Sequence, residues 1–159
     1  MSPGYEVLEH TADIGLRAFG NTLEETFSLM AKGMVELIVS SESCVSPREE
    51  RHIEANGYDL GNLMVAWLSE LLFQIYSEGF LPGVVQSIEI QKPEDSSPDS
   101  GEYLISAVIR GEKFEPETHR LVLEIKGVTY HMLRVERLDE PGRDNDCEAK
   151  WRAQVILDI

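Results

Sequence analysis

The chain has 159 residues, 29 acidic against 14 basic side chains, and a formal net charge of −15. It is long enough for one domain with a buried core, and its acidity argues against direct tight nucleic-acid binding through a broad basic face. That charge favours a cation or a basic protein partner, or else serves solubility alone.

No run of about eighteen apolar residues occurs, so no membrane span is expected. Met1-Ser2-Pro3-Gly4-Tyr5 lacks the charged and apolar regions of a secretory signal. Cys44 and Cys147 fall in predicted loops without C-x-x-C spacing. A reduced, cytoplasmic protein with no disulfide framework and no zinc site is therefore expected.

In chain order, Glu6–Glu9 and Ile14–Phe19 read as short strands. In the second, Ile14, Leu16 and Ala18 alternate with Gly15, Arg17 and Phe19, which predicts a sheet with one better-buried face. Gly20-Asn21 breaks the pattern. Thr22 has the chemistry of a helix N-cap, and Glu25 completes a capping box. Leu23, Phe27, Met30, Ala31, Met34, Val35 and Ile38 follow at helical spacing, so a helix is predicted over Leu23–Val39 with a core-facing stripe. Ser40–Pro47 reads as a loop, Glu50–Ala55 as a strand and Asn56-Gly57 as a turn. Asp59 then caps a second helix whose broad apolar face runs from Leu60 to Ile75, with Gly79 as its stop.

After Pro82-Gly83 the period changes to that of strands. Val84–Ile90 and Tyr103–Ile109 are expected to form a hairpin around a polar, mobile loop at 92–101. Leu121–Ile125, Tyr130–Leu138 and Ala149–Leu157 read as further strands, with an acidic loop over Asp139–Glu148. In the last strand Ala149, Trp151, Ala153, Val155 and Leu157 face one way; Lys150, Arg152, Gln154, Ile156 and Asp158 face the other. Asp158 is thus placed on the less buried face, near an edge or rim. Helices early and strands late predict an α+β class: one domain over 1–159, a mainly antiparallel sheet packed with two long amphipathic helices.

Three stretches carry chemistry: His10-Thr11-Ala12-Asp13-Ile14-Gly15, Lys126-Gly127-Val128-Thr129-Tyr130-His131 and the final Asp158-Ile159. The last places a side-chain carboxylate beside the terminal carboxylate, a repulsion that a divalent cation, a lysine or an arginine would relieve. Hard cations take oxygen ligands, and Asp13 becomes a third acid if the first and last strands are close. On its own, an aspartate at Asp13 is more often a turn or cap residue than a ligand, and one at Asp158 is usually part of a frayed end. His10 and His131 are either ligands or hydrogen-bonded rim histidines. Lys126 either neutralises nearby acid, touches a partner or is solvated. Thr11 and Thr129 are expected to bond local backbone. His52 and His119 carry no motif. No P-loop, G-x-G-x-x-G, H-E-x-x-H or G-x-S-x-G occurs.

Taken together, H-T-A-D-I-G, K-G-V-T-Y-H and the closing D-I, with helices opening T-L-E-E-T-F and D-L-x-x-L, resemble the archease family over nearly the whole length. Gly127 departs from the alanine expected there. The resemblance implies a divalent-metal site at Asp13, Asp158 and Ile159, usually described with calcium; manganese and magnesium are the alternatives. It also implies a protein that is not itself an enzyme. Archeases activate the RtcB-type RNA ligase of tRNA splicing and RNA repair, promoting ligase guanylylation and multiple turnover. A chaperone-like modulatory module for RNA-modifying enzymes is the second expectation, and a stand-alone metal-dependent hydrolase the third.

Overall fold

The structure is a computed structural model, and it describes residues 2–9, 12–93, 101–138 and 149–159. Among these residues the order is β1 (Gly4–Glu9), β2 (Asp13–Gly20), α1 (Leu23–Ile38), β3 (Glu49–Gly57), α2 (Leu60–Tyr76), β4 (Phe80–Gln91), β5 (Tyr103–Lys113), β6 (Gly127–Arg137) and β7 (Trp151–Asp158). Two antiparallel sheets result. The first runs β1-β2-β7-β6 and the second β3-β5-β4. The α+β class is as expected, with the strands divided between two sheets. Each helix touches strands of both sheets, so the helices form a middle layer.

Local chemistry explains why the helices begin where they do. Thr22 Oγ1 accepts from the Glu25 N–H at 3.0 Å, and Asp59 Oδ1 accepts from the Asn62 N–H at 2.7 Å. Each cap satisfies a backbone donor that the first helical turn would otherwise leave free. The predicted stripe of α1 is buried at Leu23, Phe27, Met30, Ala31, Met34 and Ile38. On α2, Leu63, Met64, Trp67, Leu68, Leu71, Leu72 and Ile75 are buried. The Trp67 indole donates to the Phe27 carbonyl at 3.0 Å, tying the helices together while satisfying its one polar atom. The stop at Gly79 has φ +67, which glycine adopts without steric cost. One continuous buried cluster joins Leu16, Ala18, Ala153, Val155 and Leu157 of the first sheet to both helices and to Ile53, Ile105, Ala107 and Ile109 of the second.

Several expectations are corrected. Leu121–Ile125 is not a strand. Leu121 makes only an isolated bridge to Val39, the Val122 N–H donates to the Ile38 carbonyl at 2.8 Å, and the Ile125 N–H donates to the Tyr76 hydroxyl at 2.9 Å. The segment serves the end of α1 and the last residue of α2 instead of pairing in a ladder. Asn56-Gly57 is not a turn but the end of β3, pressed so closely on α2 that a Cβ at Gly57 would lie 2.5 Å from the Leu63 nitrogen. β4 begins at Phe80, ahead of Pro82-Gly83, because a register shift between Pro82 and Val84 absorbs the dipeptide within the strand. The loop expectations at 92–101 and 139–148, and Cys147, lie wholly or largely outside the described residues. Cys44 is exposed and free. No helix among the described residues is long and apolar enough to cross a membrane.

Candidate metal centre

β2 opens with Asp13 and β7 ends with Asp158, and the antiparallel register sets the two directly opposite each other. Beyond them come Gly15 opposite Ile156 and Arg17 opposite Gln154, all on the sheet face turned away from the helices. On the far side of Asp158, β6 supplies Gly127. The row Asp13–Asp158–Gly127 thus crosses three neighbouring strands. Asp158 is exposed, at the end of an inner strand rather than on a sheet edge. Ile159, directly after Asp158, packs its side chain against the core.

The electrostatics of this row are unfavourable as the protein alone presents them. Side chains directly opposite on antiparallel strands have Cβ atoms about 4.5–5.5 Å apart, and like charges there repel. Asp13 is half-buried, and its Oδ1 is buried with no hydrogen-bond partner. An orphaned carboxylate oxygen beside a second carboxylate carries a desolvation cost that nothing among the described residues offsets. No third His, Cys, Asp or Glu side chain joins the pair among the described residues, so the side-chain donors here are the two aspartate carboxylates. That all-oxygen donor set fits a hard divalent cation.

The surroundings hold the row in place. A Cβ at Gly15 would lie 2.9 Å from the Leu8 Cβ and 3.3 Å from Ile156 Cδ1, so only glycine lets β1 and β2 close beside Asp13. A Cβ at Gly127 would meet nothing within 4 Å, so the departure from alanine is structurally neutral. The Lys126 N–H donates to the Asp158 carbonyl at 2.7 Å, fixing the end of β7, while its side chain is exposed. Thr129 bonds local backbone as expected, its hydroxyl accepting from the His131 N–H at 3.3 Å, and it also reaches across strands to donate to the Ile156 carbonyl at 2.9 Å. His131 is exposed, and its ring makes no hydrogen bond among the described residues, which corrects the hydrogen-bonded-rim alternative. His10 and Thr11 lie outside the described residues.

Two features went unread in the sequence. The outward face of the first sheet carries a polar chain. Glu6 accepts from Arg17 at 3.1 Å, Arg17 donates to Gln154 Oε1 at 2.7 Å, and Gln154 Nε2 donates to the Met132 carbonyl at 3.0 Å. Gln154 and Ile156 are almost wholly buried, so this face is not simply the wet one. Their alternation with Val155 resembles that of any half-exposed strand, so nothing local signals it.

The other feature is His119, which is buried at the opposite sheet. Its Nδ1 accepts from the Glu115 N–H at 3.0 Å, which leaves the proton on Nε2, 3.1 Å from Glu112 Oε1. Nε2 makes no well-formed hydrogen bond, so this approach acts as an off-axis electrostatic contact. The Ser46 backbone N–H bonds the other oxygen of Glu112, and chiefly for that reason the carboxyl is held below its ordinary range. His119 had no motif by which the sequence could announce it.

With the geometry in place, its class follows: two antiparallel sheets around a two-helix layer, with paired acids where β2 meets β7. The same fold is found in the solution structure of Methanobacterium thermoautotrophicum protein 1598, at a TM-score of 0.71 and 32% identity over 98% of this chain and 99% of that one. A family model described as the archease protein family (MTH1598/TM1083) matches residues 5–159. Protein archease of Methanosarcina mazei is 40% identical over 155 residues, 98% of this chain and 95% of the relative. Protein archease of Pyrococcus furiosus is 36% identical, covering 98% of each. The chain belongs to the archease family.

Proposed function

We propose that this protein is a non-catalytic activator of an RtcB-type RNA ligase, and that it binds a divalent cation through Asp13, Asp158 and the carboxylate of Ile159. The observation that carries the metal reading is the direct apposition of Asp13 and Asp158, with the Asp13 oxygen buried and unpartnered. Calcium is the first candidate, with manganese or magnesium next; when bound, the cation would supply positive charge for a ligase-bound nucleotide. The chain's own part is to hold two carboxylates in register at the end of a sheet and present them to the ligase centre. A net charge of −15 suits a partner surface made basic for RNA.

Multiple-turnover RNA ligation tests this, using a small amount of RtcB-type ligase with GTP and manganese, with and without this protein. The expected outcome is a large rise in turnover that Asp158→Ala removes and that high salt weakens. A rise that survives Asp158→Ala would retain the partner and discard the metal role, leaving a chaperone-like binding module. Phosphoester turnover by this protein without ligase, lost in Asp158→Ala, would point to the hydrolase instead.

A further inference from the structure

Beside the acidic centre, β6 leaves its ladder. Thr129 pairs with Ile156 and Arg134 with Gln154, so five steps on β6 answer two on β7, and Tyr130–Leu133 bulge off the sheet edge. At the tip Met132 has φ +53, a left-handed conformation uncommon for a side chain of this size. The molecule is built to hold it. The chain Glu6–Arg17–Gln154 spans three strands and ends on the Met132 carbonyl, and Gln154, its last member, is almost wholly buried. From the other side Asn62 Nδ2 donates to the Tyr130 hydroxyl at 2.9 Å, while Asn62 Oδ1 accepts from the Tyr58 N–H at 3.3 Å.

What this support displays is apolar. Tyr58 is 68% exposed, Tyr130 60% and Met132 56%, the three most exposed large hydrophobics among the described residues. Asn62 links the two tyrosines, and Met132 lies two residues beyond Tyr130. Tyr130 is three residues along β6 from Gly127, the neighbour of Asp158, or roughly 10 Å at the usual strand rise. Two tyrosines and a methionine, hydrogen-bonded through the Tyr130 hydroxyl and the Tyr58 and Met132 backbone and set beside paired acids, have the composition of an interface anchor rather than of a solvated rim.

We infer that the Tyr130–Leu133 bulge, together with Tyr58, is the surface by which this protein docks on its ligase. The inference rests on the activator reading above. The occupant is a protein surface: an apolar recess for the two tyrosines and the methionine, bordered by basic groups that meet Asp13, Asp158 and Asp59. Charge separates this from RNA. Bases could stack on the tyrosines, but the neighbouring carboxylates and the overall acidity repel phosphates. Continuity with the acidic row means that docking here also delivers the carboxylates.

Binding of wild type and of the Tyr58→Ala/Met132→Ala double variant to the RtcB-type ligase tests this, alongside ligation at saturating protein and calorimetric manganese binding without ligase. The exposed side chains are removed, so the acidic row remains intact. The expected result is ligase binding weakened at least tenfold, with unchanged manganese binding and unchanged turnover at saturation. Binding equal to wild type, in a ligase that wild type does activate, overturns the docking surface and leaves the activator reading standing. Wild-type binding that the double variant loses, without any activation by wild type, sinks the activator reading and keeps the surface. No binding by wild type removes both. A variant that loses affinity for a fluorescent single-stranded RNA but keeps its affinity for ligase overturns the inference in favour of RNA. Should the variant fold poorly, hydrogen exchange of wild type at 127–134 with and without ligase decides: protection supports docking, and unchanged exchange overturns it.

Discussion

Two acidic sites in this molecule use the same functional group in opposite ways. Glu112 accepts a hydrogen bond from the Ser46 N–H on one oxygen and has the buried His119 ring 3.1 Å from the other, as an off-axis electrostatic contact. Asp13 has one buried oxygen answered by nothing, and a second aspartate set opposite. The first arrangement joins the segment after β5 to the segment before β3 and asks nothing of the outside. The second leaves two acids opposed without an internal partner, and on that arrangement the proposed metal site rests. A carboxylate whose partners are all internal stabilises; one left without them points to a ligand.

The contrast can be broken first at His119. His119→Ala removes a buried ring, its acceptor for the Glu115 N–H and its contact with Glu112, and should cost about 3 kcal/mol in urea denaturation. On the activator reading, ligase activation by the remaining folded fraction should persist. Because the Glu112 carboxyl is held below its ordinary 4.5 in the folded state, its contribution is complete above that pH and disappears as pH falls through the lower folded value. Glu112→Gln should therefore flatten stability against pH on the acid side. A variant as acid-sensitive as wild type would show that the pair does not hold the fold.

Gly15→Ala comes next. It drives a methyl group against the Leu8 Cβ and should cost roughly 1–3 kcal/mol, whereas Gly127→Ala, facing open space, should stay within about 0.5 kcal/mol. Equal melting temperatures for the two would remove the claim that β1 and β2 are packed tightly beside Asp13. The smallest effect sharpens the comparison most. Asp13→Asn relieves the repulsion across the row and should raise stability by about 0.2–1 kcal/mol in chelator, a gain reversed when calcium is added because only wild type is then stabilised. A loss of stability in chelator would place Asp13 with Glu112, as a structural acid.

Most of the fold was legible because its signals are local. Thr22 and Asp59 announce helix starts through donors three residues away, and the stripes of α1 and α2 follow a single period. Leu121–Ile125 misled because alternation records which side chains are buried, not where the backbone bonds go. Its amides turned to the end of α1 and to Tyr76. The acids at Asp13 and Asp158 were found through family resemblance, since nothing local places residues 145 positions apart opposite each other. The β6 bulge left no trace at all. Tyr130–Leu138 reads as an ordinary strand, and the twist at Met132 depends on Gln154 and Asn62, both distant in sequence.

The position of β7 within the first sheet has a consequence for the order of events during synthesis. β2 emerges early, but the strand that covers its inner edge is residues 151–158. Until those residues are made, β2 has an open strand edge and β6 has no partner in the first sheet. Closure then joins segments about 140 residues apart, a non-local step of the kind that slows folding and exposes nascent chains to edge-to-edge association. Formation of the β2–β7 ladder should thus set the rate at which the protein matures, and the paired acids assemble only in that same late step.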